Sequence, residues 1–273
     1  MAKLSVVIIT LNEEKNIARC LRSVEGLSDD IIVVDSGSTD LTESICRSFG
    51  VKFHTHKWLG YTETKNYANS LALHRLILSL DADEALSDEL RNSILDVLAN
   101  QKSQAYSMNR LTNYCGRWIK HGGWYPDKKI RLFNYDEGAW SGNLIHESIK
   151  LKNGSPVEHL KGDILHYSYH TISDHIAQAN RFTDLTALKA FEENKKGSIL
   201  KIIFSPIVKF KKDYIFRAGF LDGYAGFVIS AISAFATFMK YVKLRQLHKQ
   251  PVSNDEINIE PDNRDTEAQQ TTD

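Results

Sequence analysis

The strongest constraint on this chain is a repeated alternation in its first half. A short apolar run is followed by a turn bearing acids and hydroxyls, then by a helix-like stretch. Residues 4–10, 30–34, 51–53 and 76–80 are rich in Val, Ile and Leu, as strands buried on both faces must be. Within 14–24, Ile17, Leu21 and Val24 recur at helical spacing, with Asn12 as a candidate cap. Further helices are expected from Ser38-Thr39-Asp40 to about Gly50, over residues 61–73, and from Ser87, where Asp88 and Glu89 suit the positive end of a helix dipole. Strands alternating with single helices imply βαβ units and an α/β, Rossmann-like, mostly parallel sheet flanked by helices.

Ligands of such sheets sit beyond the carboxyl ends of the strands. Three polar turns stand there: Thr10-Leu11-Asn12-Glu13, Asp35-Ser36-Gly37-Ser38-Thr39-Asp40 and Asp81-Ala82-Asp83-Glu84. In the third, two carboxylates one residue apart follow a buried strand. They repel unless a cation relieves them, and oxygen ligands suit Mg2+ or Mn2+. A metal on a diphosphate neutralises charge developing on a leaving group. A solvated turn or helix cap is the plainer reading of such a triplet. In the second turn Gly37 allows a tight bend, and its hydroxyls and N–H groups can hold a nucleoside or cap the next helix. Asp35, at the strand end itself, is assigned to base or ribose hydrogen bonding.

Residues 105–165 are rich in aromatics and glycines and read as mixed or antiparallel strands, with a helix over 174–194. Trp118, Trp124, Tyr125 and Trp140 suit an acceptor cleft, where aromatic faces stack on sugar rings, or a plain core. Lys120, His121, Lys128, Lys129 and Arg131 surround them, as a phosphorylated acceptor would require or a solvated basic face would show. A formal net charge of +0 argues against nucleic acid as a partner. Three scattered cysteines, Cys20, Cys46 and Cys115, fit free thiols in a reducing cytoplasm. Asn12-Glu13-Glu14 ends the first apolar run too soon for a secretory signal.

Residues 199–249 are basic and apolar. The uncharged stretch 223–239, about 17 residues, lies at the bottom of the spanning range. Lys209, Lys211, Lys212 and Arg217 favour an interfacial or re-entrant helix pair on anionic headgroups at the inner membrane face. A buried helix of a soluble domain is the alternative. Residues 250–273 form an acidic tail too polar to fold. The expected division is a 1–198 catalytic domain (1–100 for the nucleotide, 101–198 for the acceptor), a 199–249 membrane-associating region, and the 250–273 tail.

The segments SVVIITLNEEKNI, IIVVDSGSTDLT, KNYA and LSLDADE together resemble the nucleotide-binding half of family 2 inverting glycosyltransferases, which have the GT-A fold. WLGYTETKNYA, GRWIKHGGWYPDKKIRLF, NLIHE, LHYSY and GFLDGYAGF resemble the bacterial lipopolysaccharide-core glucosyltransferase group. The resemblance implies that Thr10, Asn12, Glu13 and Asp35 contact the nucleoside of a UDP-type donor, with Lys65 near base or phosphate. It places Asp81 at ribose or sugar, Asp83 on the metal, and His166 as a further metal or diphosphate contact. Glu147 stands where the family carries its catalytic base. The commoner Glu-Asp pair is His-Glu here, so His146 shares that candidacy or faces the acceptor. The implied reaction moves a hexose, glucose favoured, from a nucleotide donor to a lipid-linked saccharide. Polyprenyl phosphate is an alternative acceptor, and an inactive sugar-nucleotide-binding protein an alternative function. A nucleotidyltransferase would carry a glycine-rich basic first loop, whereas Leu11-Asn12-Glu13-Glu14 is acidic and lacks glycine.

Overall fold

The computed structural model describes residues 2–143, 146–152 and 154–249, so the acidic tail lies outside the described residues. The chain forms two compact units. Among the described residues, one comprises Ala2–Arg110 with Asp127–Tyr167, and the other Leu111–Pro126 with Ser168–Lys249.

In the first unit the strands are β1 (Leu4–Thr10), β2 (Asp30–Asp35), β3 (Lys52–Thr55), β4 (Leu76–Asp81), β5 (Glu84–Leu86), β6 (Ala105–Tyr114) and, beyond β7 (Arg117–Ile119) of the second unit, β8 (Asp127–Asn134), β9 (Gly138–Asn143), β10 (His146–Leu151) and β11 (Val157–Tyr169); the ends of β6 and β11 continue into the second unit. The sheet runs β3-β2-β1-β4-β8-β6-β11-β5. β1 pairs in parallel with β2 and β4, and β2 with β3. β8 is antiparallel to β4 and β6, and β5 to β11. This is the mostly parallel arrangement expected from the alternation of strands and helices and the GT-A-type sheet that the family resemblance implies, with an antiparallel extension where the aromatic segments lie.

β1 is buried along its whole length because both faces are covered. Leu4, Val6 and Ile8 point into one layer with Ile17, Leu21 and Val24 of α1 (Ile17–Val24) and Leu90 and Ile94 of α4 (Asp88–Ala99). Val7 and Ile9 point the other way, toward Ala68 of α3 (Tyr61–Ser70) and toward Trp140 and Ile149 of the β9–β10 hairpin. α2 (Thr42–Ser48) follows β2 in the chain and puts Cys46 into the same layer as Val33. Ser87 caps α4, its hydroxyl accepting from the Leu90 N–H at 3.2 Å.

Asn12 does not cap α1. Its backbone has φ 52°, the helix starts only at Ile17, and its side-chain oxygen accepts instead from the Thr39 N–H at 2.8 Å. The residue that tolerates a left-handed bend was spent on joining two turns rather than on starting a helix.

At the opposite ends of the strands Asp30 is a lock. Fully buried, it accepts from Lys52 Nζ at 2.6 Å, from the Leu73 N–H at 2.8 Å, and from the Ser5 hydroxyl. Ser5 Oγ in turn accepts from the His74 N–H at 2.9 Å.

The second unit contains the end of β6 paired with β7 (Arg117–Ile119), then α5 (Ile172–Glu192), α6 (Ile199–Phe210) and α7 (Gly223–Lys249). A Thr171/Asp174 capping box starts α5. Ala187 and Ala190 of α5 pack on Leu244 and Leu247 of α7. A π-helical turn (Lys211–Phe216) and a 3-10 turn (Gly219–Asp222) join α6 to α7. A Cβ on Gly226 would fall 1.9 Å from the Gly219 carbonyl oxygen, so only glycine permits this close turn. Asp222 closes it by accepting from the His121 N–H at 2.8 Å and the Lys120 N–H at 3.3 Å. The segment Gly219–Lys249 is long and apolar enough to cross a membrane by length and composition, with a mean hydropathy of 1.5 over its apolar 18-residue window.

Burial alone would raise the Asp30 carboxyl, but the bonds from Lys52, Ser5 and the Leu73 N–H outweigh it and hold the group below its ordinary value. Such a lowered group contributes stability that is present above the unfolded value of about 4 and is lost as pH falls below it. Asp30→Asn is therefore expected to lower the urea midpoint at neutral pH and to flatten the acid limb below about pH 4. An unchanged acid limb in urea titrations would remove Asp30 from this role.

Candidate active site

The first two polar turns are knitted into one ledge. The Asn12 N–H donates to Ser38 Oγ at 2.7 Å, the Glu13 N–H to Thr42 Oγ1 at 2.8 Å, and the Glu14 N–H to Asp40 Oδ2 at 3.0 Å. Asp35, buried at the end of β2, accepts from the Gly37 and Ser38 N–H groups at 2.9 and 2.8 Å and from the Ser38 hydroxyl. Gly37 has φ 101°, a conformation that glycine adopts without strain. Asp35 thus shapes the loop as well as ending the strand. The hydroxyl of Thr10, at the end of β1, is buried with no hydrogen-bond partner among the described residues.

The third turn carries the densest charge. β4 ends at Asp81, β5 begins at Glu84, and the Asp81 N–H donates back to Glu84 Oε2 at 3.1 Å. Arg131 of β8, its side chain 4% exposed, places Nη2 2.7 Å from both Asp81 Oδ2 and Glu84 Oε1. Lys65 of α3, equally buried, places Nζ 2.8 Å from Asp81 Oδ1 and 3.3 Å from Glu147 Oε1. Burial would raise the Asp81 carboxyl, yet Arg131 and Lys65 outweigh it and hold it far below the usual carboxylate range. Asp81 is therefore ionised and clamped on both oxygens.

Trp140 organises the cations. Lys65 Nζ lies 4.3 Å from its ring centroid and the Arg131 guanidinium carbon 5.0 Å. Asn66, beside Lys65, fixes the Trp140 backbone twice, accepting from its N–H and donating to its carbonyl, both at 2.9 Å. Trp140 pairs with Ile149 and Gly142 with Glu147 across the hairpin, so the Lys-Asn dipeptide of α3 aligns Glu147 with Asp81. A cavity of about 440 Å³ opens here, lined among others by Arg131, Trp140 and Glu147.

Asp83 faces a different neighbour. β5 pairs with β11 in the register His166↔Glu84, and the Tyr167 N–H donates to the Asp83 carbonyl at 2.9 Å. His166 Nε2 consequently lies 3.1 Å from Asp83 Oδ2. His166 Nδ1 is buried with no hydrogen-bond partner among the described residues. One carboxylate and one imidazole converging at the end of the sheet fit a divalent cation that takes its other ligands from a diphosphate and water. Among the described residues no group of three or more His, Cys, Asp or Glu side chains converges as a self-sufficient cage. Below the turn, burial and then the charges of Glu84, Asp83 and Asp81 push the Cys20 thiol up, so it stays protonated.

Thr10, Asn12, Glu13, Asp35, Lys65, Asp81, Asp83, Glu147 and His166 all belong to the first unit. The His146 side chain lies outside the described residues. Trp124 and Tyr125 belong to the second unit, where Trp124 packs with Tyr114, Tyr169 and His175 at centroid distances of 6.0, 5.9 and 5.9 Å. Burial lowers His175 to about 4, so it is neutral at pH 7. The sequence reading did not single out Glu84 or Arg110, or Arg131 as the partner of Asp81. The available signal was an arginine inside the apolar run Ile130-Arg131-Leu132-Phe133, because a charge on a buried strand must be paired.

A GT-A-type sheet with an acid pair at its carboxyl edge and a third carboxylate tied to that pair through a buried lysine is the frame of a glycosyltransferase. The chain matches the description Glycosyl transferase family 2 over residues 5–149, and it belongs to that family. It is 34% identical to an uncharacterised glycosyltransferase of Rickettsia typhi, covering 90% of this chain and 88% of that one. It is 27% identical to the lipopolysaccharide core biosynthesis glycosyltransferase LpsC of Rhizobium meliloti, covering 90% and 93%. Among solved structures it is similar to Staphylococcus aureus TarS 1–349 in complex with UDP, with 14% identity and TM-score 0.45 over 92% of this chain and 93% of that one. It is also similar to Mycobacterium tuberculosis glucosyl-3-phosphoglycerate synthase with Mn2+ and UDP-glucose, at 23% identity and TM-score 0.34. In that pair it covers 41% of this chain and spans under half, 44%, of the mycobacterial one. Likenesses at this level do not bear on substrate.

Removing one partner of a buried ion pair leaves an uncompensated charge. Arg131→Met is expected to cost about 3–5 kcal/mol in urea unfolding, and adding Glu84→Gln to recover part of that loss. A double variant no more stable than Arg131→Met alone would contradict the coupling.

Proposed function

We propose that this chain is an inverting, metal-dependent glycosyltransferase. It moves a hexose, with UDP-glucose the favoured donor, to a lipid-linked saccharide in lipopolysaccharide-core or related cell-surface glycan synthesis. The observation that carries the reading is the bridge Asp81–Lys65–Glu147, which holds a donor-side acid and a candidate base on one buried ammonium beside a cavity. The Rhizobium relative's name supports the lipopolysaccharide assignment.

In this reading the ledge of Thr10, Asn12, Glu13 and Asp35 receives the nucleoside, and Asp81 faces the ribose or sugar. Glu147 accepts the proton of the acceptor hydroxyl as its oxygen bonds to the anomeric carbon. The bond from that carbon to the diphosphate oxygen breaks on the opposite face, and the nucleoside diphosphate leaves as an anion, inverting the centre. Asp83 and His166 would hold Mg2+ or Mn2+, whose chemistry when bound is to offset charge on that leaving group. Residues 1–198 carry this reaction in the proposal, and 199–249 hold the chain at the cytoplasmic face of the membrane.

The membrane assignment rests on α6. Leu200, Phe204, Ile207 and Val208 are each at least half exposed, and Phe216 after it is 82% exposed. Lys201, Lys209, Lys211 and Lys212 stand among them, an apolar face with cations suited to an anionic lipid surface.

A thermal-shift panel of nucleotide sugars with and without Mn2+ tests the donor, since stabilisation follows the logarithm of ligand over dissociation constant. UDP-hexoses are expected to stabilise most and only with metal, and a flat panel would sink the reading. Glu147→Gln is expected to keep donor binding while transfer falls by about 100-fold or more, and full transfer would remove Glu147 as base. Cosedimentation with phosphatidylglycerol vesicles is expected to drop about tenfold in Phe204→Ser/Ile207→Ser. Equal binding by both forms would exclude α6 as the contact.

A further inference from the structure

The cavity beside Glu147 is not neutral in its lining. Arg110, Lys128, Lys129 and Arg131 contribute cations, and Glu147 is the acid on its wall. Much of that charge is already balanced. Arg131 and Lys65 answer Asp81 and Glu84, and Glu147 leans on Lys65. Arg110 is met by two acids, Asp127 at 2.9 Å from Nη2 and Glu84 at 3.6 Å from Nη1, whereas Lys129 has only a share of Asp127, at 3.0 Å from Nζ. The Lys128 side chain is exposed, and its ammonium has no ion-pair or hydrogen-bond partner among the described residues. A positive excess therefore remains at the Lys128–Lys129 rim.

Trp140 does not offer this cavity a free stacking face of the usual kind, because Lys65 and Arg131 already lie over its ring. A neutral sugar would find here neither an open aromatic platform nor a use for the rim cations. A sugar bearing an anion would find both lysines and still leave a hydroxyl for Glu147. The volume of about 440 Å³ falls within the usual range of small-ligand sites.

We infer that the acceptor saccharide carries an anionic substituent, a phosphate or a carboxylate, which Lys128 and Lys129 hold while its reacting hydroxyl faces Glu147. This rests on the reading of Glu147 as base and adds the chemical class of the acceptor. Lys128 and Lys129 set specificity and touch no reacting atom.

The test uses the full chain with UDP and Mn2+ and three probes: glucose, glucose 6-phosphate and glucuronate. Binding is read by titration calorimetry, with UDP affinity measured in parallel. At least one anionic probe is expected to bind about tenfold or more tighter than glucose, with the margin shrinking as salt is raised. Comparing the two anions says whether phosphate or carboxylate is preferred. Lys128→Gln/Lys129→Gln is expected to erase the margin while UDP affinity stays unchanged, which also shows the variant is folded. Equal affinities for all three probes, with UDP bound normally, overturn this inference alone. An anion that competes with UDP also overturns it, by giving the cavity to the donor diphosphate. Failure of the unmodified chain to bind UDP overturns the donor reading together with this one.

Discussion

Asp81 lies between two buried cations, and the rest of the site is arranged around that clamp. A carboxylate at the end of an apolar strand, next to two further acids, is unstable unless opposite charge is brought to it. Arg131 arrives from an antiparallel strand and Lys65 from a helix, and each also holds a second carboxylate, Glu84 and Glu147 respectively. Five elements, α3, β4, β5, β8 and β10, are thereby tied at one edge of the sheet. Trp140 supplies the surface on which both cations rest. Loss of either cation strands a charge in a dry place, so the clamp is a constraint on folding as well as on chemistry.

The clamp also divides labour between the two acids of the Asp-Ala-Asp turn. Asp81 has both oxygens engaged by protein cations, whereas Asp83 meets the His166 imidazole on the neighbouring strand. A divalent ion prefers oxygen and nitrogen donors that are not already neutralised by fixed ammonium or guanidinium groups. At the other end of the same strands, Asp30 fixes β1, β2 and β3 and the start of β4 through one buried carboxylate. The sheet is thus pinned at its amino edge by Asp30 and at its carboxyl edge by the clamped Asp81.

Much of this was legible in the amino-acid order because its causes are local. Runs rich in Val, Ile and Leu mark β1, β2 and β4 within a residue of their ends, since a strand covered on both faces has few polar positions to spare. What stayed hidden depends on contacts distant in sequence. Asn12 reads as a helix cap, and only the folded turn shows its oxygen committed to Thr39. Arg131 reads as one of several basic residues until β8 sets it against Asp81 and Glu84. Trp124 and Trp140 look alike in sequence, yet one packs in the second unit's aromatic cluster and the other supports Lys65. Register and long-range pairing decide these roles, and composition carries no trace of either.

The division between Asp81 and Asp83 is the central claim, and Mn2+ electron paramagnetic resonance on the UDP-loaded chain tests it most directly. Asp83→Asn is predicted to return Mn2+ to its free aqueous spectrum, and Asp81→Asn, judged on folded protein, to keep a protein-bound signal. Bound Mn2+ in Asp83→Asn together with free Mn2+ in Asp81→Asn would contradict the account.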